Sequence, residues 1–553
     1  MSALSLNIQS FREIREEGRH YVDKTEYIHR LLADGRSFFL ARPARFGKTL
    51  LLSAIEEFFT GNRAWFGGLY LGESDRERKK HPVVYLDMAL LGAESPASVK
   101  DELCFLLRKI ALREGVAIQG GSPATLARFL LEAVGIKYRQ KVVLLIDNCD
   151  FPATAALGDP EKARLIARAL GDFYGGLRSL HPRLRFVMAT GTFKYEEMAQ
   201  NSGLSFLRDI SLSPRYAGIC GFTAQEAATG YAGRLASALD AFRAEGAFPG
   251  EYGLEELLAE VARWYGGYSF DGELQLINPH SFLSFLENGA FGRHWPSRLD
   301  LGYAFRLLRE DLGALRPNPE LLYGKDELET VSLSATWASS FLRGLGFLTL
   351  QNRVLSEGAR ESALAFPNHE TVSGLYGAFL AHLAGRAPVE ARAFARSFRR
   401  EAEKGDGAEL ARLFSAFLAK LKEAPHQESP AFYRAVFGLA LSLSGFRFKG
   451  ASFGEGPVEG ILKIEGGLGA VVKCQYLPKD AAGEGERKRL LAEELRAALE
   501  KASPEDESAL SKGTGREYKE IFLLATGRAD FLGGAVSQRS GLIFRPLAKA
   551  PEE

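Results

Sequence analysis

The segment Ala41-Arg42-Pro43-Ala44-Arg45-Phe46-Gly47-Lys48-Thr49 has residue types suited to holding a polyphosphate. The short apolar run Ser37-Phe38-Phe39-Leu40-Ala41 leads into it, and Leu50, Leu51, Ala54, Ile55, Phe58 and Phe59 follow at helical spacing. A loop between a strand and a helix offers backbone N–H groups and a positive helix end to phosphate oxygens. There Lys48 is expected to reach the β- and γ-phosphates and Thr49 to place its hydroxyl on Mg2+, while Arg42, Pro43, Ala44, Arg45, Phe46 and Gly47 form the cradle of a P-loop. ATP and Mg2+ are the implied ligands. The segment departs from the usual pattern once, with Arg42 where the first glycine is expected. Gly-Lys-Thr alone is a common tripeptide, so the flanking strand and helix and an acidic strand end downstream carry the inference.

That strand end is Val142-Val143-Leu144-Leu145-Ile146-Asp147, an apolar run closing on an acid. This is the Walker B pattern, in which the Asp holds Mg2+ directly or through a water; a plain helix cap is the alternative use of the same residue. Hydrolysing P-loop ATPases commonly put Glu next, to polarise the attacking water. Here Asn148 stands there, and an amide can orient water but cannot take its proton. Asp150 is the nearby carboxylate that could substitute. A further strand-like run ends Thr190-Gly191-Thr192. Thr192 is taken as the hydroxyl that senses the γ-phosphate, with a strand-end cap as the alternative. Asp147, Asn148, Asp150 and Thr192 are therefore the candidate catalytic residues, and Thr49 and Asp147 the candidate metal ligands. Slow hydrolysis, or binding without hydrolysis, is expected.

These residues need a sheet to bring them together. Apolar runs at 37–41, 83–87, 141–147 and 185–191 read as strands buried on both faces. Helical patterns lie between them, one marked by Leu103, Leu106, Leu107, Ile110 and Leu112. Alternating strands and helices predict an α/β fold, a doubly wound P-loop NTPase parallel sheet over 1–225. Residues 226–384 read as mainly helical. Within them a helix over 335–345 and strands at 346–350 and 363–366 are compatible with a winged-helix-like module. Residues 385–425 are charge-rich and predict solvated helices. A helix over 432–444, strands at 460–464, 469–474 and 521–525, and an amphipathic helix over 486–502 predict a last α/β domain, so that 385–553 forms the third region.

The chain has 553 residues, room for about three or four domains. Its 46% hydrophobic and 25% charged residues exclude wholesale disorder and fibrous repeats. A net charge of +1 gives no global argument for nucleic acid, though it leaves a local basic groove open. Four scattered cysteines fit a reducing compartment better than a disulfide scaffold. No signal peptide is apparent and the longest apolar stretch is too short to span a bilayer, so a cytoplasmic location without membrane contact is expected. A protein partner or self-association stays open.

The chain resembles bacterial AAA-ATPase-like proteins that carry a C-terminal domain of the PD-(D/E)XK nuclease superfamily. The resemblance rests on Phe11-Arg12-Glu13-Ile14-Arg15, Tyr21-Val22-Asp23-Lys24-Thr25 and the phosphate loop. It continues through Leu145-Ile146-Asp147 with Asp150 and Pro152, Cys220-Gly221-Phe222-Thr223, Trp264-Tyr265-Gly266-Gly267-Tyr268, Asn278-Pro279, Gly346-Phe347-Leu348-Thr349 and Pro367-Asn368 with Glu370. Proteins of that family also lack the first P-loop glycine, but usually have Asp-Glu-Tyr-Asp where this chain has Asp147-Asn148-Cys149-Asp150.

For the last domain the resemblance implies an Asp on one strand and a Glu-x-Lys pair on the next. The carboxylates would hold a metal that activates water, and the Lys would stabilise charge on phosphate. This chain has Glu459 at the first position and Lys473 and Gln475 at the other two. The set carries one negative and one positive charge, with a cation where an oxygen ligand belongs; a hard divalent ion finds no ligand in Lys. A degenerate, inactive nuclease-like domain is expected, with ATP acting as a conformational ligand of the whole. Two other functions remain in view: an ATP-regulated DNA nuclease of a defence or mobile-element system, its site rebuilt from Glu455, Lys463 or Glu465, and a non-enzymatic interaction scaffold with a structural nucleotide site.

Overall fold

The computed structural model of the chain describes residues 4–74, 79–199, 203–245, 252–295, 301–315, 321–354, 360–383, 388–404, 407–418, 430–444, 447–449, 458–464, 467–476, 519–525, 531–537 and 541–543. Five strands, β1 (Ser37–Ala41), β2 (Val83–Asp87), β3 (Val143–Asp147), β4 (Phe186–Gly191) and β5 (Arg208–Asp209), form a sheet in the order β2-β3-β4-β1-β5. Every pairing in it is parallel. The apolar runs form its centre because helices cover both faces: every residue of β3 and β4 is buried. β5 was not apparent in the sequence, being only two polar residues long.

The helix Lys48–Thr60 follows β1 directly and buries Leu51, Leu52, Ile55, Phe58 and Phe59. Its rings pack with Phe11, Phe66 and Phe186 in one cluster. Residues 222–286 add a helical core in which Leu235, Leu257, Val261, Phe282 and Phe285 are buried. Beyond it, β6 (Leu322–Tyr323), β7 (Thr349–Val354) and β8 (Arg360–Ala365) form a three-stranded antiparallel sheet ordered β6-β8-β7. The helix ahead of it, Ala338–Leu345, stops at Gly346, which is left-handed at φ 93. The Phe347 and Leu348 amides still bond back to Leu342, so β7 begins three residues later than the apolar run suggests.

By its internal contacts the chain divides into two units, Met1–Leu307 with Pro319–Thr371, and Leu308–Asn318 with Val372–Glu553. The second unit holds β9 (Arg447–Lys449), β10 (Val458–Ile464), β11 (Gly467–Tyr476), β12 (Lys519–Ala525), β13 (Phe531–Ser537) and β14 (Gly541–Ile543), ordered β14-β13-β12-β11-β10-β9. All pairings are antiparallel except β11 with β12. The charge-rich helices Pro388–Lys404 and Gly407–Leu418 are not solvated all round. Phe394 and Phe398 on one meet Phe414 and Phe417 on the other, with Phe394 and Phe417 stacked at 4.4 Å. The anticipated helix over 486–502, and Glu455 and Glu465, lie outside the described residues. Among the described residues no helix is long and apolar enough to cross a membrane.

Candidate functional site

The carboxyl ends of β1, β3 and β4 meet the start of the helix Lys48–Thr60. Arg45 and Gly47 both have positive φ, 65 and 98. Left-handed residues spaced this way turn successive N–H groups to one side and make an anion-binding concavity. The carbonyls of the loop are held by two side chains, one of them distant in sequence. Lys48 Nζ donates to Arg42 O at 2.7 Å and Pro43 O at 3.0 Å, and the Trp295 indole N–H donates to Ala44 O at 3.2 Å. Burial lowers the pKa of Lys48, partly offset by Asp150 and Asp147.

Asp147 is fully buried and accepts from four donors. Thr49 Oγ1 is 2.7 Å from Oδ2 and Tyr85 Oη 3.1 Å from the same oxygen, while Thr190 Oγ1 is 2.6 Å and the Asn148 amide 3.0 Å from Oδ1. Burial and the nearby Asp147 hold the Tyr85 phenol well above its ordinary range, so it stays a donor. The oxygen set fits Mg2+, which takes hard ligands, one or two carboxylates and the phosphates themselves. Thr49 and Asp147 would hold it.

Other expectations change. The strand-end hydroxyl that meets Asp147 is that of Thr190. β4 lies between β1 and β3, and the pairing of Ile146 with Ala189 sets Thr190 beside Asp147. Thr192 instead gives its backbone amide to Asp150. Asp150 is buried with both oxygens engaged, Oδ1 by the Thr192 amide at 3.0 Å and Oδ2 by the Phe193 amide at 2.9 Å and the Thr154 hydroxyl at 3.1 Å. Burial raises its pKa against those amides. It ties the end of β3 to the chain after β4 and is only 2% exposed, which limits the access of water to it.

Arg42 does not face the phosphate side. The residue is 1% exposed, and its guanidinium donates to the carbonyls of Ala41, Ser211, Tyr216 and Ala217. It lies 3.8 Å over the Phe270 ring, and burial pushes its pKa down to about 10. It therefore plugs the back of the loop, which explains why an arginine can stand at a glycine position. Pro43, Ala44 and Phe46 shape the loop by packing and carbonyl contacts; Phe46 is buried against Tyr268 and Phe270. Arg45 is exposed and its Nη1 donates to Asn7.

The remaining sequence motifs converge behind this loop. Asn368 Nδ2 donates to Gly266 O at 2.7 Å, and Gly267, left-handed at φ 76, admits the Pro367 carbonyl where a Cβ would stand 2.0 Å from it. Glu370 Oε1 accepts the His294 and Trp295 amides at 2.6 and 2.7 Å, which sets the Trp295 indole toward Ala44. The motif around Lys24 also works through packing, with Lys24 Nζ bonded to both oxygens of Glu226 at 2.7 Å.

Asp87, at the end of β2, was missed as a site residue. Its Oδ1 accepts from Asn148 Nδ2 and the Ala89 amide, each at 3.0 Å. The signal was present: the run at 83–87 ends on an acid as the Walker B strand does. In the second unit, β10 and β11 pair Glu459 directly with Lys473, and Gln475 lies two positions along β11.

Residues 5–199 match the family model described as AAA-ATPase-like, "Predicted AAA-ATPase". A protein of Azotobacter chroococcum mcd 1 described as "Uncharacterized protein in vnfD 5'region" is 29% identical over 382 residues, 68% of this chain and 70% of that one.

Proposed function

We propose that the N-terminal domain, similar to a predicted AAA-ATPase, binds ATP with Mg2+ and turns it over slowly, so that the nucleotide acts mainly as a conformational ligand. The observation that carries this reading is the meeting of Thr49, Asp147 and Thr190 beside a phosphate-type loop. Mg2+ bound by Thr49 and Asp147 would neutralise charge on the β- and γ-phosphates. Lys48 would leave its loop carbonyls for phosphate oxygens, and the N–H groups of the loop and helix start would orient them. Asn148, where hydrolysing P-loop ATPases commonly have Glu, cannot itself take a proton from water, which supports slow turnover. A ligand shifts a conformational equilibrium only through its differential affinity for the two states. The Trp295 contact to the loop gives residues beyond 225 a stake in that difference.

The second unit would be a degenerate nuclease-like domain. The residue types at these positions support this: the register sets a lysine across from the acid, and Glu459, Lys473 and Gln475 supply one carboxylate among three. Titration of the full chain with ATP and Mg2+ tests the main reading. Lys48→Ala should weaken binding by about 10²-fold, the range for losing one partner of a charged hydrogen bond. Wild-type-like affinity in that variant rejects the site. Mn2+-dependent DNA cleavage, lost in Glu459→Ala, would restore the nuclease reading.

A further inference from the structure

The geometry points to Asp87, at the end of β2, as the general base for hydrolysis at this site, with Asn148 as the residue that positions it. The inference rests on the nucleotide reading above. Hydrolysis needs a group that accepts the proton of the attacking water, and a carboxylate within reach is the usual one. Four aspartates stand at or just beyond the carboxyl ends of the parallel strands. Asp147 has both oxygens engaged by hydroxyls and an amide. Asp150 has both engaged by amides and a hydroxyl. Asp209 accepts Lys194 Nζ at 2.9 Å on Oδ2 and the Ser211 amide at 2.9 Å on Oδ1. Asp87 differs: both of its bonds fall on Oδ1, and among the described residues Oδ2 has no partner. It is only half-buried, so water reaches it. Glu56 is the remaining acid near Tyr85, but it lies seven residues down the helix from Thr49, about 10 Å along its axis.

Register places Asp87 at the level of the metal ligand. β2 and β3 pair in parallel with Asp87 opposite Asp147, and neighbouring strands run about 5 Å apart. Asn148 follows Asp147 with φ 53, a left-handed backbone that Asn tolerates better than most residues. That turn carries its amide back to Asp87 Oδ1 and leaves Oδ2 as the basic oxygen. The acid missing after Asp147 stands on β2, and the amide after Asp147 holds it.

In the step, a water oxygen bonds to the γ-phosphorus and its proton passes to Asp87 Oδ2. The bond from the γ-phosphorus to the bridging oxygen breaks, and that oxygen leaves with the electron pair on the diphosphate. The proton then goes to solvent. Nucleoside diphosphate and phosphate are the products, and water is the only other reactant.

Phosphate release by the full chain at saturating ATP and Mg2+, with nucleotide affinity measured in parallel, tests this. Asp87→Asn keeps an oxygen for Asn148 and Ala89, so the fold and the affinity should hold while kcat falls about 10²-fold or more. Asp87→Glu should recover part of that loss. Asn148→Gly keeps the backbone conformation and removes the tether, and should lower kcat by about tenfold with affinity unchanged, the low end of a misplaced catalytic group. Wild-type kcat in Asp87→Asn overturns the assignment, as does a wild-type chain that binds ATP and releases no phosphate. A wild-type chain that does not bind ATP overturns the nucleotide reading instead.

Discussion

The carboxyl edge of the parallel sheet and the β10–β11 pair of the second unit each set an acid and a lysine at neighbouring positions, in different residue company. At the first, Lys48 is bonded to loop carbonyls while Asp147 gathers hydroxyls from Thr49, Thr190 and Tyr85. Hydroxyl oxygens can turn and share a cation with the carboxylate they now donate to. In the second, Glu459 has Lys473 directly across the strands. An ammonium has no lone pair to share. What surrounds a carboxylate, more than its own identity, decides whether it can become a metal site. The three predictions that follow test how far that contrast extends.

The largest effect is expected at Arg42. If its guanidinium serves the back of the loop, Arg42→Met leaves the Ser211, Tyr216 and Ala217 carbonyls without their donor and should cost about 3–5 kcal/mol in unfolding free energy, the range for breaking a buried charged network. Chemical denaturation measures it. A variant of wild-type stability that loses ATP affinity would return Arg42 to the phosphate side, as its place in the loop motif first implies.

Glu370 gives a smaller, pH-dependent effect. Burial lifts its carboxyl from 4.5 to about 7, against the pull of the Trp295 amide, Ser281, the His294 amide and Arg293. The folded pKa is the higher one, so the fold favours the neutral acid. The stability this contributes is complete below pH 4.5 and is lost as pH rises through 7, about 3 kcal/mol in all by linkage. Gln cannot ionise and keeps an oxygen for the two amides. Glu370→Gln should match the wild type near pH 4.5 and exceed it increasingly up to pH 8 in denaturation profiles. Parallel profiles would mean the carboxylate is fully compensated where it lies, and that the first unit tolerates buried charge better than Arg42 suggests.

The contrast also shows what sequence can reveal. β1 to β4 were legible because consecutive apolar residues leave few alternatives to a strand buried on both faces, and their ends fell within two residues of the expected ones. The placement of Lys48 and Thr49 at a helix start and of Asp147 at a strand end was legible because their spacing along the chain is tied to that strand–loop–helix. Thr190 was not, since its hydroxyl means nothing until β4 is known to lie between β1 and β3. Arg42 misled for a related reason: its backbone belongs to the loop, but the carbonyls that turn its side chain away stand some 170 residues on. Asp87 needed the register of β2 on β3. Glu370 and Trp295 were visible only as residues of a resemblance or not at all, because their shared role depends on two loops meeting behind the phosphate loop.

The smallest effect is expected where the contrast is sharpest. Glu459→Gln keeps the size of the side chain and removes its charge from the position opposite Lys473. A cross-strand pair of opposite charge is worth about 0.2–1 kcal/mol, so unfolding should shift by no more than that. A carboxylate in a divalent site behaves differently on two counts. Its removal relieves repulsion between acids and stabilises the metal-free fold, and it erases the stabilisation that millimolar Mg2+ or Mn2+ confers by mass action. Neither is expected here. Thermal unfolding of the wild type and of Glu459→Gln, with and without metal, should give a small loss that metal leaves unchanged, read with Lys48→Ala as background so that nucleotide-site metal is not counted. A metal-dependent gain in the wild type that vanishes in Glu459→Gln would show that the acid takes a metal despite the lysine at the position across from it. The β10–β11 pair would then be a metal site in its own right.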